Sequence, residues 1–197
     1  MSSHSYTIRL ATPDDAPGYS HCYVESLAET YAHIMPPEFA ASRRDDIVAG
    51  IEEHRAELQR MADALADGRE PERTHWVALD DAGEVVGIVS SGLGVPHWES
   101  HLYDNPPPPV ELNLDHIYTR ASTHGTGLGQ RLLEVAVPDG RGAWLWILRE
   151  NPRAEAFYAR NGFVPDGLEV NCGPAWFGRP MFRMWRPNPS VPATASD

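Results

Sequence analysis

Apolar and polar residues alternate through Tyr6-Thr-Ile-Arg-Leu10, which predicts an opening strand. Thr12-Pro13-Asp14-Asp15 has the residues of a helix start, with Thr12 as N-cap and Pro13 in the first turn. The helix is expected to run to Tyr31 or His33, where Met35-Pro36-Pro37 breaks it. Apolar residues at Ile47, Ile51, Leu58 and Leu65 predict one long second helix over 42–66, its charges forming a solvated face. Strands are expected over 75–79 and 84–93 around the turn Asp81-Ala82-Gly83. An irregular stretch, 94–109, ends in four prolines, and a strand over 110–120 follows. Leu128, Leu132, Leu133 and Val135 then repeat at helical spacing. Ala143–Arg149 is apolar on both faces, as a central strand is. Asn151-Pro152 opens another helix and Asn161-Gly162 closes it. Strands over 163–170 and 181–185 can pair as a hairpin, and Pro187–Asp197 reads as a polar, disordered tail. There is no internal repeat.

Between the strand ending near Arg120 and the helix from Leu128 lies His124-Gly-Thr-Gly-Leu-Gly129. A glycine loop leaves the first N–H groups of the following helix unpaired, and the helix dipole favours an anion there. Glycine keeps the approach open and permits positive φ. A P-loop would place Gly-Lys-Ser/Thr at the loop's end, where Leu128-Gly129-Gln130 stands. The dinucleotide fingerprint is excluded too, because one strand and a second motif follow instead of a βαβ unit with a ribose-binding acid.

Composition narrows the class. The chain has 197 residues, 42% hydrophobic and 22% charged, which suits one globular domain. No apolar run is long enough to span a membrane. The start, MSSHSYTIRL, lacks the features of a secretory leader, so a cytoplasmic location is expected. Cys22 and Cys172 have neither disulfide-framework nor metal-ligand spacing, and His97 and His101 lack the HExxH order, so no metal is expected. Net charge is −12 and every basic residue is arginine. Such a chain repels nucleic acid and anionic membrane and attracts a cationic small molecule or basic peptide.

The element order β-α-α-β-β-β-α-β-α-β-β, together with two motifs, resembles the GNAT family of N-acetyltransferases. Gly127 and Gly129 stand at the two glycines of its Q/R-x-x-G-x-G/A signature, with His124 in the first position in place of Arg or Gln. The second motif, N-x-x-A-x-x-F-Y-x-x-x-G-F, is matched by Asn151, Ala154, Phe157, Tyr158, Gly162 and Phe163. The resemblance covers residues 5–186 and implies a single domain over 1–186. It implies an α/β GNAT fold: a twisted, mixed, mostly antiparallel sheet of about six or seven strands flanked by about four helices, splayed between strands 4 and 5.

The resemblance further implies acetyl-CoA as cosubstrate and direct transfer of its acetyl group to a primary amine of a small molecule or peptide. The pantetheine arm would pair with the backbones of Ile117, Tyr118 and Thr119 and bond Asn151. The pyrophosphate would sit on Gly125, Gly127, Leu128, Gly129 and Gln130, with His124 and Thr126 in the same loop. Arg120, Arg131 and Arg153 can offset its charge or form surface ion pairs. Ala154 and Phe157 would flank the cofactor, and Tyr158 takes the general-acid position. An amine must first lose a proton, so a base is needed. Glu111 is preferred, with Asp115 and His116 competing; the strand period puts Glu111 and Asp115 on one face and His116 on the other. The acceptor site is expected among Tyr31, His33, Trp98, Tyr103, Trp176 and Phe177. Transfer of a longer acyl group, and a non-catalytic acyl-CoA sensor, stand as alternatives. A homodimer through an exposed edge is compatible with the pattern.

Overall fold

The computed structural model describes residues 5–96 and 105–189. Their seven strands form one sheet in the order β1-β2-β3-β4-β5-β7-β6. In chain order these are β1 (Thr7–Leu10), β2 (Arg73–Leu79), β3 (Val85–Leu93), β4 (Leu112–Thr119), β5 (Ala143–Leu148), β6 (Val164–Asn171) and β7 (Pro180–Arg186). All neighbours are antiparallel except β4 and β5, which are parallel and joined by the single pair Asn113–Trp144. Beyond that pair the two strands diverge, so the splay lies where the sequence places it.

Five α-helices flank the sheet in the described residues: α1 (Ala16–Tyr31), α2 (Pro37–Asp45), α3 (Ile47–Ala66), α4 (Leu128–Ala136) and α5 (Pro152–Arg160). The long second helix expected over 42–66 is in fact two. Pro36 and Pro37 start a helix rather than merely ending one, because proline's fixed φ suits the first turn. Asp46 then leaves helical geometry and separates α2 from α3. The first helix begins with a 3-10 turn over Pro13–Asp15, where the Asp15 carboxylate accepts from the Thr12 N–H (2.7 Å) and hydroxyl (2.8 Å). Asp15 also pairs with Arg9 through two 2.7 Å contacts; burial pushes its carboxyl up, but Arg9 and Thr12 together outweigh that and hold it below the ordinary carboxylate range.

Helices α4 and α5 cover one face of the sheet and α1 and α3 the other. Leu128, Leu132, Leu133 and Ala136 turn inward from α4, whereas Val135, part of the same apolar pattern in the sequence, is exposed. Helix α4 sits close on β3 because Gly87 has no side chain: a Cβ there would stand 3.0 Å from Leu132 and 3.1 Å from Leu128. The first residues of the expected tail are held, since Asn188 accepts from the Gly142 N–H at 2.8 Å. Near the other end of the sheet, Arg183 of β7 is buried against Asp166 of β6 (2.5 Å) and donates to the carbonyl of Pro106 (2.9 Å). That bond ties the proline loop ahead of β4 to the last hairpin.

Strand β4 carries the decisive irregularity. Ser90 of β3 pairs with His116, and its neighbour Ser91 pairs with Leu114. Asp115 is therefore an extra residue, a β-bulge. Leu112 and Leu114 face the α4 side, and so does Ile117, which an unbroken alternation would turn to the opposite face.

Candidate active site

The divergence of β4 and β5 opens a cleft of about 380 Å³. One wall is β4 from Leu114 to Thr119; the other is Leu145, Trp146 and Ile147 of β5 with the start of α5. Because β5 leaves β4 after Asn113, the backbones of Ile117, Tyr118 and Thr119 have no strand partner on that side. A linear chain bearing amide groups can add there like a further strand. Trp146 also lines the cleft, and its buried indole N–H has no acceptor among the described residues.

At the cleft's mouth lies the glycine loop. Gly125 (φ 82°) and Gly127 (φ 85°) are both left-handed, and a Cβ at either would meet open space. Backbone conformation, not crowding, requires glycine at these two positions. Gly127 is the N-cap of α4. The N–H groups of Gly125, Gly127, Leu128 and Gly129 have no acceptor among the described residues. Gln130, expected to contribute another, donates its N–H to the Gly127 carbonyl at 3.1 Å, although the residue lines the cleft. Thr126 turns its hydroxyl back onto the Thr123 carbonyl (2.7 Å) and does not line the cleft. Four unpaired donors at a helix N-terminus make an anion site.

The arginines separate. Arg120 is held by Glu29 (2.9 Å), and Arg131 donates to the Tyr6 carbonyl (2.9 Å). Arg153 lines the cleft beside the loop and donates to His124 Nδ1 at 2.8 Å. Burial and the neighbouring guanidinium keep the His124 pKa below its usual value, which favours the neutral ring that accepts this bond. Arg160, not singled out from the sequence, also lines the cleft.

Asn151 is buried, lines the cleft and accepts from the Ala154 N–H at 3.2 Å as N-cap of α5. Ala154, Phe157 and Tyr158 follow on the cleft side of that helix. Gly162 (φ 82°) closes α5, with the Phe163 N–H bonded to the Tyr158 carbonyl at 3.0 Å. The Tyr158 ring is fixed edge-on between Phe157 (5.1 Å) and Phe163 (5.5 Å). Burial pushes its phenol well above the ordinary tyrosine value, so at neutral pH it carries a proton.

Of the three acid–base candidates on or before β4, Asp115 and His116 line the cleft. Glu111 is exposed, precedes the strand, and lies outside the lining, with its carbonyl accepting from Gly94 (2.9 Å). The expected separation of Asp115 and His116 onto opposite faces does not occur. The bulge brings them together, and His116 Nδ1 meets Asp115 Oδ2 at 3.0 Å.

From His116 a buried polar row crosses the sheet, which the sequence reading missed. His116 Nε2 is 2.8 Å from the Tyr19 hydroxyl, which is 3.2 Å from His75 Nδ1. His75, Ser90 and His116 are paired neighbours on β2, β3 and β4. His54 of α3 lies against Tyr19 and bonds Ser20 (2.8 Å). Burial, then the neighbouring His116, lowers His54 to about 4 and His75 to about 3. The one signal was His75 itself, a histidine directly ahead of the apolar run Trp76–Leu79.

The aromatics expected around the acceptor gather in part. Tyr31, Phe39 and Trp176 pack edge-on or tilted at 5.1–6.2 Å, and Phe177 joins through Phe39 at 6.4 Å. Arg43, also missed, places its guanidinium 3.6 Å from the Phe39 ring centre. His33 is exposed and meets the Glu150 carbonyl at 3.2 Å. Trp98, Tyr103, His97 and His101 lie outside the described residues. No three His, Cys, Asp or Glu side chains among the described residues converge as metal ligands do.

A mixed sheet opened between parallel strands, with an anion-binding loop at the mouth, is the arrangement that the resemblance to acetyltransferases predicts. Residues 71–165 match the model of the acetyltransferase (GNAT) domain. Three solved structures share the fold. PaiA N-acetyltransferase from Thermoplasma acidophilum, in complex with coenzyme A, is 18% identical over 93% of this chain and 99% of its own, with a TM-score of 0.65. Ribosomal-protein-S5-alanine acetyltransferase from Vibrio fischeri is 13% identical over 96% of each chain, with a TM-score of 0.62. The histone acetyltransferase HPA2 and related acetyltransferase from Corynebacterium glutamicum is 25% identical over 95% and 99%, with a TM-score of 0.57. No curated protein matches in sequence. Residues 71–165 are thus similar to the GNAT acetyltransferase domain, and the fold around them is that of GNAT acetyltransferases.

Proposed function

We propose that the protein is an acetyl-CoA-dependent N-acetyltransferase that modifies a primary amine by direct transfer within a ternary complex. The observation carrying this reading is the pairing of unpaired donors with an unpaired strand edge. Gly125, Gly127, Leu128 and Gly129 offer N–H groups to a diphosphate, and Ile117–Thr119 offer backbone to a pantetheine arm in the same cleft. Both features fit the cosubstrate that the family implies. Acetyl-CoA, when bound, supplies an acyl carbon activated as a thioester.

The chain's own residues supply the proton transfers. An alkyl ammonium has a pKa of about 10.4 and cannot attack until deprotonated. The Asp115–His116 pair takes that proton at the Asp115 carboxylate, because His116 spends one nitrogen on Asp115 and the other on Tyr19. The nitrogen lone pair forms the N–C bond, the C–S bond breaks, and Tyr158 donates its phenolic proton to the departing sulfur. Asn151 holds the arm, and Arg153 sets the His124 side of the loop. Glu111, the base preferred on strand position, is the competitor that substitution must separate from His116.

The direct test is a thiol-release assay over an amine panel, with mass detection of the product. An acetylated amine is the expected result. Binding of coenzyme A without turnover on any amine would favour the sensor, and preference for longer thioesters would reassign the acyl group.

A further inference from the structure

Two buried residues stand behind His116 without reaching the cleft. Tyr19 of α1 is fully buried and His75 of β2 is 4% exposed, and neither lines the cleft. Three contacts make one row: Asp115 Oδ2 to His116 Nδ1 (3.0 Å), His116 Nε2 to the Tyr19 hydroxyl (2.8 Å), and that hydroxyl to His75 Nδ1 (3.2 Å). The His116 ring is held in the row by Tyr118, stacked on it at 5.6 Å, and by Tyr23, edge-on at 5.6 Å. His54 and Glu57 of α3 are the other titratable groups that face it.

Each contact holds one proton, and the row has few to share. An ionised carboxylate only accepts, so with Asp115 charged the proton of that contact sits on His116 Nδ1. A neutral imidazole has a single N–H, so His116 Nε2 then accepts from Tyr19. The hydroxyl has a single proton as well, so its oxygen accepts from His75, whose N–H lies on Nδ1. Burial, then the neighbouring His116, takes His75 down to about 3, so at neutral pH it keeps one proton and no more. The other tautomer of His75 reverses the row. Tyr19 would donate to His75, His116 would donate from Nε2, and its Nδ1 lone pair would face Asp115. That contact holds only with a proton on the carboxyl, and a protonated Asp115 cannot take another from an amine.

Resting on the transferase reading, we propose that Tyr19 and His75 are positioning residues, which together fix the proton of His116 on Nδ1 and so keep the Asp115 carboxylate able to act as the base. When the acceptor arrives, an ammonium N–H bond breaks and an O–H bond forms on Asp115. The N–H and O–H bonds of the row stay where they are. A residue of β2 thus controls the cleft from the far side of α1, through two hydrogen bonds and no contact with either substrate.

Long-range proton–nitrogen NMR of the full chain, isotope-labelled in histidine, reads each tautomer directly at about pH 8, above the ordinary imidazole value of about 6.5. His75 and His116 should both carry hydrogen on Nδ1; a bare Nδ1 on either overturns the inference. Turnover gives a second readout. Tyr19→Phe removes the hydroxyl and keeps the ring. It should lower kcat about tenfold with KM for acetyl-CoA unchanged, and leave His116 as a mixture of tautomers. His75→Leu should do the same. The amide of His75→Asn can donate where Nδ1 did, so this variant should recover most of the turnover that His75→Leu loses. Equal loss in the Asn and Leu variants, or full turnover in Tyr19→Phe, overturns the inference and leaves the transferase standing. Absence of turnover on every amine defeats the transferase alone, and the tautomers still decide where the protons of the row lie.

Discussion

The two sides of β4 are built from different materials. Toward α4 and α5 the cleft presents backbone: four N–H groups at a helix start, an unpaired strand edge, and glycines that admit both. Toward α1 and α3 the strand meets a buried row of side chains, Tyr19, His54, His75 and His116, drawn from four elements. A backbone site needs only the right turn and the right helix start, and tolerates wide sequence change around it. A side-chain site depends on residues that meet only after folding, so it is free to differ between relatives. The first side suits a cosubstrate shared by a family, and the second suits whatever is particular to this protein.

Substitutions can break or sharpen that contrast. The largest effect is expected from Tyr158→Phe, which keeps the packed ring and removes the donor. kcat should fall about 10²–10⁴-fold, with little change in KM for acetyl-CoA or in Tm. Unaltered turnover would make Tyr158 a packing residue.

Next comes His116→Gln, set beside Glu111→Gln. The first should lower kcat/KM by about 10²-fold; the second should change it by less than about threefold. The reverse order would move the base to Glu111.

A smaller effect separates two loop glycines. Gly127→Ala forces a side chain into the left-handed region and should cost about 1–2 kcal/mol in urea unfolding. Gly129 is in the first turn of α4, and a Cβ there would meet only Phe157 at 3.8 Å, an ordinary contact. Gly129→Ala should therefore leave stability level while weakening coenzyme A in a calorimetric titration. Equal affinity in that variant would detach the helix start from the diphosphate.

The last test reads the side-chain face. His54 and His75 sit near 4 and 3 when folded and near the ordinary 6.5 when unfolded. Below pH 6.5 the unfolded chain binds protons that the folded chain refuses, so stability falls as pH drops from 6.5 toward 4. Each such proton contributes a slope of up to about 1.4 kcal/mol per pH unit. Thermal unfolding should show this decline, and His54→Gln with His75→Gln should make it shallower.

The same contrast explains what could be read before folding. The glycine loop, Asn151, Ala154, Phe157 and Tyr158 lie within two short segments, where spacing alone places them on one helix start and one helix face. Turn chemistry also located most strand ends. The break at Asp46 escaped because α2 and α3 are both polar outside and no proline or glycine marks the junction. Tyr19 and His116 are 97 residues apart, and nothing local to either announces the other. The bulge at Asp115 was invisible because alternation is the only rule a strand sequence offers, and the bulge suspends it.

That extra residue makes the strand sensitive to length more than to composition. Removing one amino acid near position 115 would restore a regular pleat and turn everything after it half a revolution. Ile117 would swap sides with Tyr118, and the cosubstrate wall and the aromatic wall would trade places. Evolution can vary the chemistry at this spot by exchange, yet it has almost no freedom to shorten it.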